Sequence, residues 1–171
     1  RSSLSLTCIV RALLVALSLV VAPSLSAQPL RIAYRVAVPD PASHLYEISL
    51  DVDGVRGATL PLQLPVWSPG RYAKMDFARN VQDFRVASGT GQPLRWDKTD
   101  GSRWVVQTGG AGTVRVRYRV FANQLSGTFS VLDTAHANWN GASLFLYVEG
   151  HKPDPVTLDV DAPSGWQIVN G

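Results

Sequence analysis

The chain has 171 residues, of which 46% are hydrophobic, 9% aromatic and 17% charged, and its formal net charge is +3. This apolar content is enough to bury a core, so the composition excludes a chain that is disordered throughout. The length favours one domain with a short appendage.

The first 27 residues have the order of a secretory signal peptide. Arg11 is followed by the apolar run 12–22 and then by the small-residue segment 23–27. The run is shorter than the roughly 20 residues that cross a bilayer as a helix. We therefore predict a helical signal peptide over residues 1–27 and a single domain over residues 28–171. The expected location is the bacterial periplasm or the cell exterior, with no membrane attachment after cleavage.

Removal of this leader would change the chemistry of the rest. The leader carries Cys8, the one cysteine, together with Arg1 and Arg11. The remaining domain would have no thiol, which excludes a disulfide, a thiolate metal site and a cysteine nucleophile. It would also be close to neutral, which argues against a nucleic-acid partner.

Strand patterns dominate the domain. Apolar and polar side chains alternate with a period of two in five segments: 32–38, 46–52, 60–66, 114–120 and 156–161. Residues 144–148 are apolar on both faces and predict a central strand. Weaker strands are expected at 84–87, 94–97, 103–108 and 129–132. With a turn about every ten residues, this pattern predicts an all-β fold, an antiparallel two-sheet β-sandwich.

The segment after the third strand has the chemistry of a sharp corner. Pro61 and Pro65 favour an edge strand, because proline has no N–H for a ladder. Pro69 and Gly70 occupy the centre of the turn 68–71, which is the type II preference and requires positive φ at Gly70. Residues 72–80 hold at most one helical turn.

No catalytic, cofactor-binding or metal-ligating set is evident. His44, His136 and His151 are far apart, and neither an H-E-x-x-H helix nor a G-x-S-x-G turn is present. Asp133 and His136 are best interpreted as a loop pair. The basic row of Arg115, Arg117 and Arg119 is interpreted as a solvated face, with a docking surface for acidic groups as the alternative.

The corner carries a family resemblance. Residues 65–72 fit P-x-W-x-P-G-x-Y, and residues 76–79 read D-F-A-R. Trp104, the 116–120 strand and residues 144–150 match further along. The chain resembles the N-terminal domain of the glycyl aminopeptidases, secreted bacterial zinc metallopeptidases that form metallopeptidase family sixty-one.

The resemblance implies a multidomain enzyme whose thermolysin-like catalytic domain follows this one. On that basis we expect the chain to be a piece truncated before the catalytic domain, carrying no zinc ligand and inactive alone. Zinc is expected in the missing domain. The expected role is to pack on the catalytic domain of the same polypeptide and help wall the peptide cleft, so that substrate is met only indirectly.

The candidate interface residues lie in the corner and in the loop 138–140. They are Trp67, Arg71, Tyr72, Asn138, Trp139 and Asn140. Amide groups around an apolar ring suit contact with a peptide or a neighbouring domain. The alternative is that Trp139 turns inward and the asparagines serve their own turns. An alternative function, a stand-alone secreted carbohydrate- or ligand-binding module, would use the exposed tryptophans.

Overall fold

The computed structural model describes residues 29–71 and 73–169. The predicted signal peptide and Tyr72 lie outside the described residues. The described part is mostly β, with two main sheets and almost no helix. It contains no helix long and apolar enough to span a membrane.

The larger sheet has five strands. Their order is β11 (Val156–Asp161), β1 (Arg31–Ala37), β2 (Leu45–Asp53), β7 (Thr113–Phe121) and β4 (Val81–Ser88). Alternate residues of β2 and β7 are buried, as their sequence patterns predicted. The prediction of a wholly antiparallel fold is wrong at one pair, because β11 runs parallel to β1. A parallel pair needs a long crossover, and here the intervening strands of the domain supply it.

The smaller sheet has four strands. Their order is β10 (Tyr147–Val148), β3 (Thr59–Gln63), β6 (Arg103–Gln107) and β5 (Trp96–Asp100). The prediction that β3 is an edge strand is wrong, because β3 lies between β10 and β6. Proline is tolerated there because β10 pairs only with Leu62 and Gln63, beyond Pro61. The Pro61 carbonyl accepts the Glu149 N–H at 3.1 Å.

The predicted central strand at 144–148 is also wrong. The short helix α1 (Gly141–Leu144) ends there and is followed by β10. Leu144 and Leu146 are fully buried, so the apolar run does enter the core. Side-chain capping by Asn140 starts a helical turn at a point where periodicity alone indicates a strand. The expected single helical turn before β4 is present as a 3₁₀ turn at Phe77–Asn80.

One hydrophobic core draws on both sheets. The Phe84 ring of β4 stacks on the Trp104 ring of β6, with centroids 5.3 Å apart. Trp96 of β5 meets Phe84 edge to face at 4.8 Å. Aromatic contacts therefore join the two sheets on the side where β4 and β5 are edge strands.

Between β7 and β10 the chain has little regular structure, and we call residues 122–146 the strap. Its ladder is the short pair β8 (Val131–Leu132) and β9 (Ala137–Asn138). Hydrogen bonds from three tyrosines of the five-stranded sheet attach the strap to that sheet. The Tyr34 hydroxyl donates to the Leu146 carbonyl (2.7 Å), that of Tyr46 to Val131 (2.8 Å) and that of Tyr118 to Leu144 (2.7 Å).

These hydroxyls remain neutral donors at physiological pH. Burial raises the pKa of all three tyrosines, that of Tyr34 to about 12. The Tyr118 oxygen also accepts the Leu146 N–H at 3.1 Å. The strap is therefore fixed to the sheet by side-chain bonds to its backbone.

Candidate interface at the Trp67 corner

The corner after β3 is a tight turn with the predicted backbone. The Arg71 N–H donates to the Ser68 carbonyl at 3.3 Å, and Gly70 has a φ of 79°. A Cβ at Gly70 would meet nothing within 4 Å, so glycine is required there by its backbone conformation alone. The positive φ predicted for Gly70 is confirmed. Ser68 is buried, whereas the neighbouring Trp67 is 54% exposed.

Asn140 connects this corner to the strap. Its Nδ2 donates to Ser68 Oγ (2.8 Å) and to the Thr128 carbonyl (3.1 Å). Its Oδ1 accepts the Ala142 N–H at 3.1 Å, which caps α1. One amide thus orients the turn, the loop before β8 and the helix, so Asn140 serves structure at this corner.

The remaining candidate interface residues differ in how far their side chains are buried. The Trp139 ring packs edge to face on Tyr46 (centroids 5.7 Å apart) and is partly buried against the core. Asn138 and Arg71 have exposed side chains. Tyr72 lies outside the described residues. The structure brings Trp67 and Asn140 together through Ser68, and the interface role of the six residues stays a prediction.

A groove of about 570 Å³ adjoins Trp67, and we call it the Trp67 groove. Its apolar wall includes Tyr34, Val66, Trp67, Phe145, Tyr147 and Val156. The Tyr34 and Phe145 rings meet edge to face at 5.2 Å. Sequence reasoning missed Tyr34, Phe145 and Tyr147 because they fall within strand-like apolar patterns. Their partial exposure follows from the shortness of β10, for which the sequence gives no signal.

One end of the Trp67 groove is basic. Lys152 Nζ lies 4.4 Å from the centroid of the Tyr147 ring. His151 Nδ1 lies 2.8 Å from Asp154 Oδ2, which also accepts the Leu30 N–H at 2.7 Å. The Leu30 N–H, followed by His151, lowers the pKa of Asp154. Among the described residues, the lining includes Lys152 and His151 and no acidic side chain.

The histidines do not form a metal site. His44 Nδ1 contacts the Leu132 carbonyl, and His136 Nδ1 lies 3.1 Å from Asp133 Oδ1. Over residues 29–71 and 73–169, no three or more His, Cys, Asp or Glu side chains are grouped to hold a metal. The described residues therefore do not fit the zinc that the family resemblance implies for the enzyme.

The arginine row lies on the outer face of the five-stranded sheet, opposite carboxylates. Arg117 Nη1 is 2.6 Å from Asp51 Oδ1, and Arg115 Nε is 4.0 Å from the other oxygen of Asp51. Arg119 pairs with Asp83 of β4. The row is thus opposed by acidic groups of its own sheet, as on a solvated face.

Comparisons with known proteins place these features in a family. The family model described as Peptidase M61 N-terminal domain matches residues 33–171. An aminopeptidase N family protein from Idiomarina loihiensis is 31% identical, with a TM-score of 0.72 over 78% of this chain and 22% of that chain. An M1 zinc metallopeptidase from Deinococcus radiodurans is 18% identical, with a TM-score of 0.41 over 83% of this chain and 34% of that one. No curated protein matches. The chain spans well under half of either solved protein.

Proposed function

The chain belongs to the Peptidase M61 N-terminal domain family, and from this membership we propose that it is the non-catalytic N-terminal domain of an exported zinc aminopeptidase. Its role is to pack on the peptidase domain of the same polypeptide and to help wall the peptide cleft. The enzyme removes N-terminal residues, glycine above all, from peptides. Zinc belongs to the peptidase domain.

The observation that carries this proposal is the extent of the family match. It runs from β1 through β11 to residue 171, so it takes in both sheets, the strap and the Trp67 corner. The likeness to the Idiomarina protein, at 31% identity, supports the same assignment. That protein is far longer than the matched part, which is the organisation expected when this domain accompanies others.

The surface around Trp67 supports the packing role. We regard the two sheets as the layers of a sandwich whose side between β11 and β10 holds the Trp67 groove. Exposed aromatic rings grouped in one concave region are typical of a surface that another protein segment covers. Trp67 lines the groove and Arg71 follows it in the same turn. These two residues and Asn138, whose side chain is exposed, are the contacts we expect to touch the peptidase domain.

The proposed location follows from the leader. The basic flank at Arg11, the apolar run 12–22 and the small residues 23–27 suit export and cleavage near Ala27. A periplasmic or extracellular location also suits a domain without cysteine, because an oxidising environment then has no thiol to modify.

The test uses the chain and the peptidase domain of the same polypeptide, each produced separately. We expect direct binding in calorimetry and zinc-dependent release of glycine from a glycyl anilide only when the peptidase domain is present. Chelator-sensitive release by the chain alone would contradict the non-catalytic role. Absence of binding between the two domains would contradict the packing role. Sugar binding by the chain with no affinity for the peptidase domain would favour the alternative module.

A further inference from the structure

The inner face of β11 is incompletely covered. Val156 and Leu158 are 58% and 45% exposed, although they pair in register with Ile32 and Tyr34 of β1. Ile32 is buried. The four-stranded sheet ends at the two-residue β10, and the apolar surface of the five-stranded sheet continues beyond it into the Trp67 groove.

The groove combines this apolar wall with a basic end. A volume of about 570 Å³ lies within the range of about 300–1,000 Å³ that is usual for ligand pockets, which are apolar with a few polar groups. The Lys152 ammonium is held over the Tyr147 ring, and the carboxylate of Asp154 orients His151 through Nδ1. The Asp154 carboxylate lies outside the lining and is engaged by His151 and the Leu30 N–H, so Lys152 is the charged side chain of the lining that favours a negative group at this end.

We propose that the Trp67 groove binds an apolar peptide segment that carries a carboxylate. Its aliphatic or aromatic side chains pack against Trp67 and Phe145, and its carboxylate meets Lys152 beside His151. We take the segment to come from the neighbouring domain of the same polypeptide, and this part of the inference rests on the proposed function. The kind of segment that binds is inferred from the residues of the groove alone.

A second copy of the chain is a poorer occupant. Docking two chains along β11 would bring together edge strands that carry Asp159 and Asp161 and begin after Pro155. Inserted charges and proline are the usual features that prevent edge-to-edge pairing. Arg35 of β1 lies 2.6 Å from Asp161, so that carboxylate already has a partner within its own sheet.

The experiment measures binding of two labelled peptides to the purified chain by fluorescence anisotropy. The probes are acetyl-Leu-Phe-Leu-Asp-amide and the same peptide with Asn in place of Asp. We expect the acidic peptide to bind about threefold more tightly, as suits one partly exposed charge pair. Lys152→Gln should abolish that difference. Lys98→Gln is the matched control, because Lys98 also lies over a ring, that of Trp104, away from the groove.

A second pair of variants tests the apolar wall. Trp67→Ala should weaken binding of both peptides, whereas Trp96→Ala should leave it unchanged, since Trp96 is an exposed tryptophan on the β4–β5 side. Circular dichroism checks that each variant is folded. Equal affinities for the two peptides, or equal effects of the two tryptophan variants, would overturn the proposal. If the chain binds the peptidase domain but neither peptide, the groove assignment fails while the proposed function stands.

Discussion

In the five-stranded sheet, β2 and β7 pair along their whole lengths, whereas strand pairing within the described strap is limited to the two-residue ladder of β8 with β9 and the single bridge of Asn123 with Val131. Both regions bury apolar side chains, and Leu50 of β2 and Leu146 of the strap are both fully covered. They differ in how the backbone is satisfied. The sheet uses repeated N–H to carbonyl bonds, whereas the strap combines scattered backbone bonds, such as that from the Leu132 N–H to the Ala122 carbonyl, with bonds to hydroxyl and amide side chains.

This difference has a consequence for tolerance to substitution. A ladder distributes its hydrogen bonds over many residues, so loss of one side chain leaves the bonds of its backbone in place. At the strap, the Tyr118 hydroxyl and the Asn140 amide each satisfy two backbone groups. Buried backbone groups left without a partner are costly, so the strap should be the more sensitive region.

The largest effect is expected for Tyr118→Phe. The change leaves the Leu144 carbonyl and the Leu146 N–H without their hydroxyl partner inside the core. We expect the free energy of unfolding to fall by about 2–4 kcal/mol, from two unpaired buried groups. Urea titration measures it. Tyr147→Phe, at a partly exposed tyrosine of β10, should change stability by less than about 0.5 kcal/mol. Equal effects would mean that the Tyr118 hydroxyl does not hold the strap.

The adjacent asparagines provide a matched pair within the strap. Asn140→Ala removes bonds to Ser68, Thr128 and Ala142, and we expect a loss of about 1.5–3 kcal/mol in the free energy of unfolding. Asn138→Ala removes an exposed side chain and should cost less than about 0.5 kcal/mol. Thermal and urea unfolding of both variants measure the contrast. A similar loss at both positions would contradict the role assigned to Asn140.

Gly70→Val tests the corner that Asn140 supports. Valine is strained at the φ of 79° found here, and the expected loss is about 1–3 kcal/mol. Since no atom lies within 4 Å of the added Cβ, the effect reports the backbone alone. Gly127→Val is the control, because that glycine has equally open space and a φ outside the left-handed region. A denaturant titration showing no loss at Gly70 would mean that the turn relaxes freely.

A smaller, pH-dependent effect is expected at Asp154. The Leu30 N–H and His151 lower its pKa in the folded chain, so the unfolded chain takes up the proton more readily. Its contribution is therefore present above the ordinary carboxyl pKa of about 3.9 and is lost as pH falls through the folded pKa. Between pH 5 and 3 the wild-type urea midpoint should fall more steeply than that of Asp154→Asn. Parallel curves would contradict this.

The smallest effect is expected on the outer face of the five-stranded sheet. Arg117→Ala removes the contact with Asp51, but both side chains are partly exposed to solvent. We expect a change below about 0.5 kcal/mol, further reduced by salt. A double-mutant cycle with Asp51→Ala isolates the pair. A coupling energy as large as the Tyr118 effect would show that side-chain bonds in the sheet matter as much as those in the strap.

The same contrast explains what could be predicted from the sequence. Alternation identified β1, β2, β3, β7 and β11, and the Pro69–Gly70 pair identified the turn and its positive φ. Periodicity failed at Leu144, because Asn140 caps a helical turn there through the Ala142 N–H, while its bonds to Ser68 and Thr128, which are distant in sequence, fix its position. Periodicity also could not reveal that β11 runs parallel to β1. An alternating pattern shows which face of a strand is buried, but it does not show the direction in which the strand runs beside its neighbour.

The candidate site was predictable in part for a similar reason. Trp67 is exposed beside a turn whose chemistry is local. Tyr34, Phe145 and Tyr147 join it only because β10 is short and the groove stays open. Such exposure depends on where a neighbouring sheet ends, which is a property of the whole fold.

The parallel pairing of β1 with β11 also bears on the order in which the domain assembles. The first described strand finds its outer neighbour in the last, across more than a hundred residues of chain. A chain that emerges amino terminus first therefore presents β1 with a vacant edge until β11 arrives. Contacts of such long separation slow folding, because the closing loop must lose its freedom before the contact forms. The larger sheet is therefore completed late, when almost the entire domain has emerged.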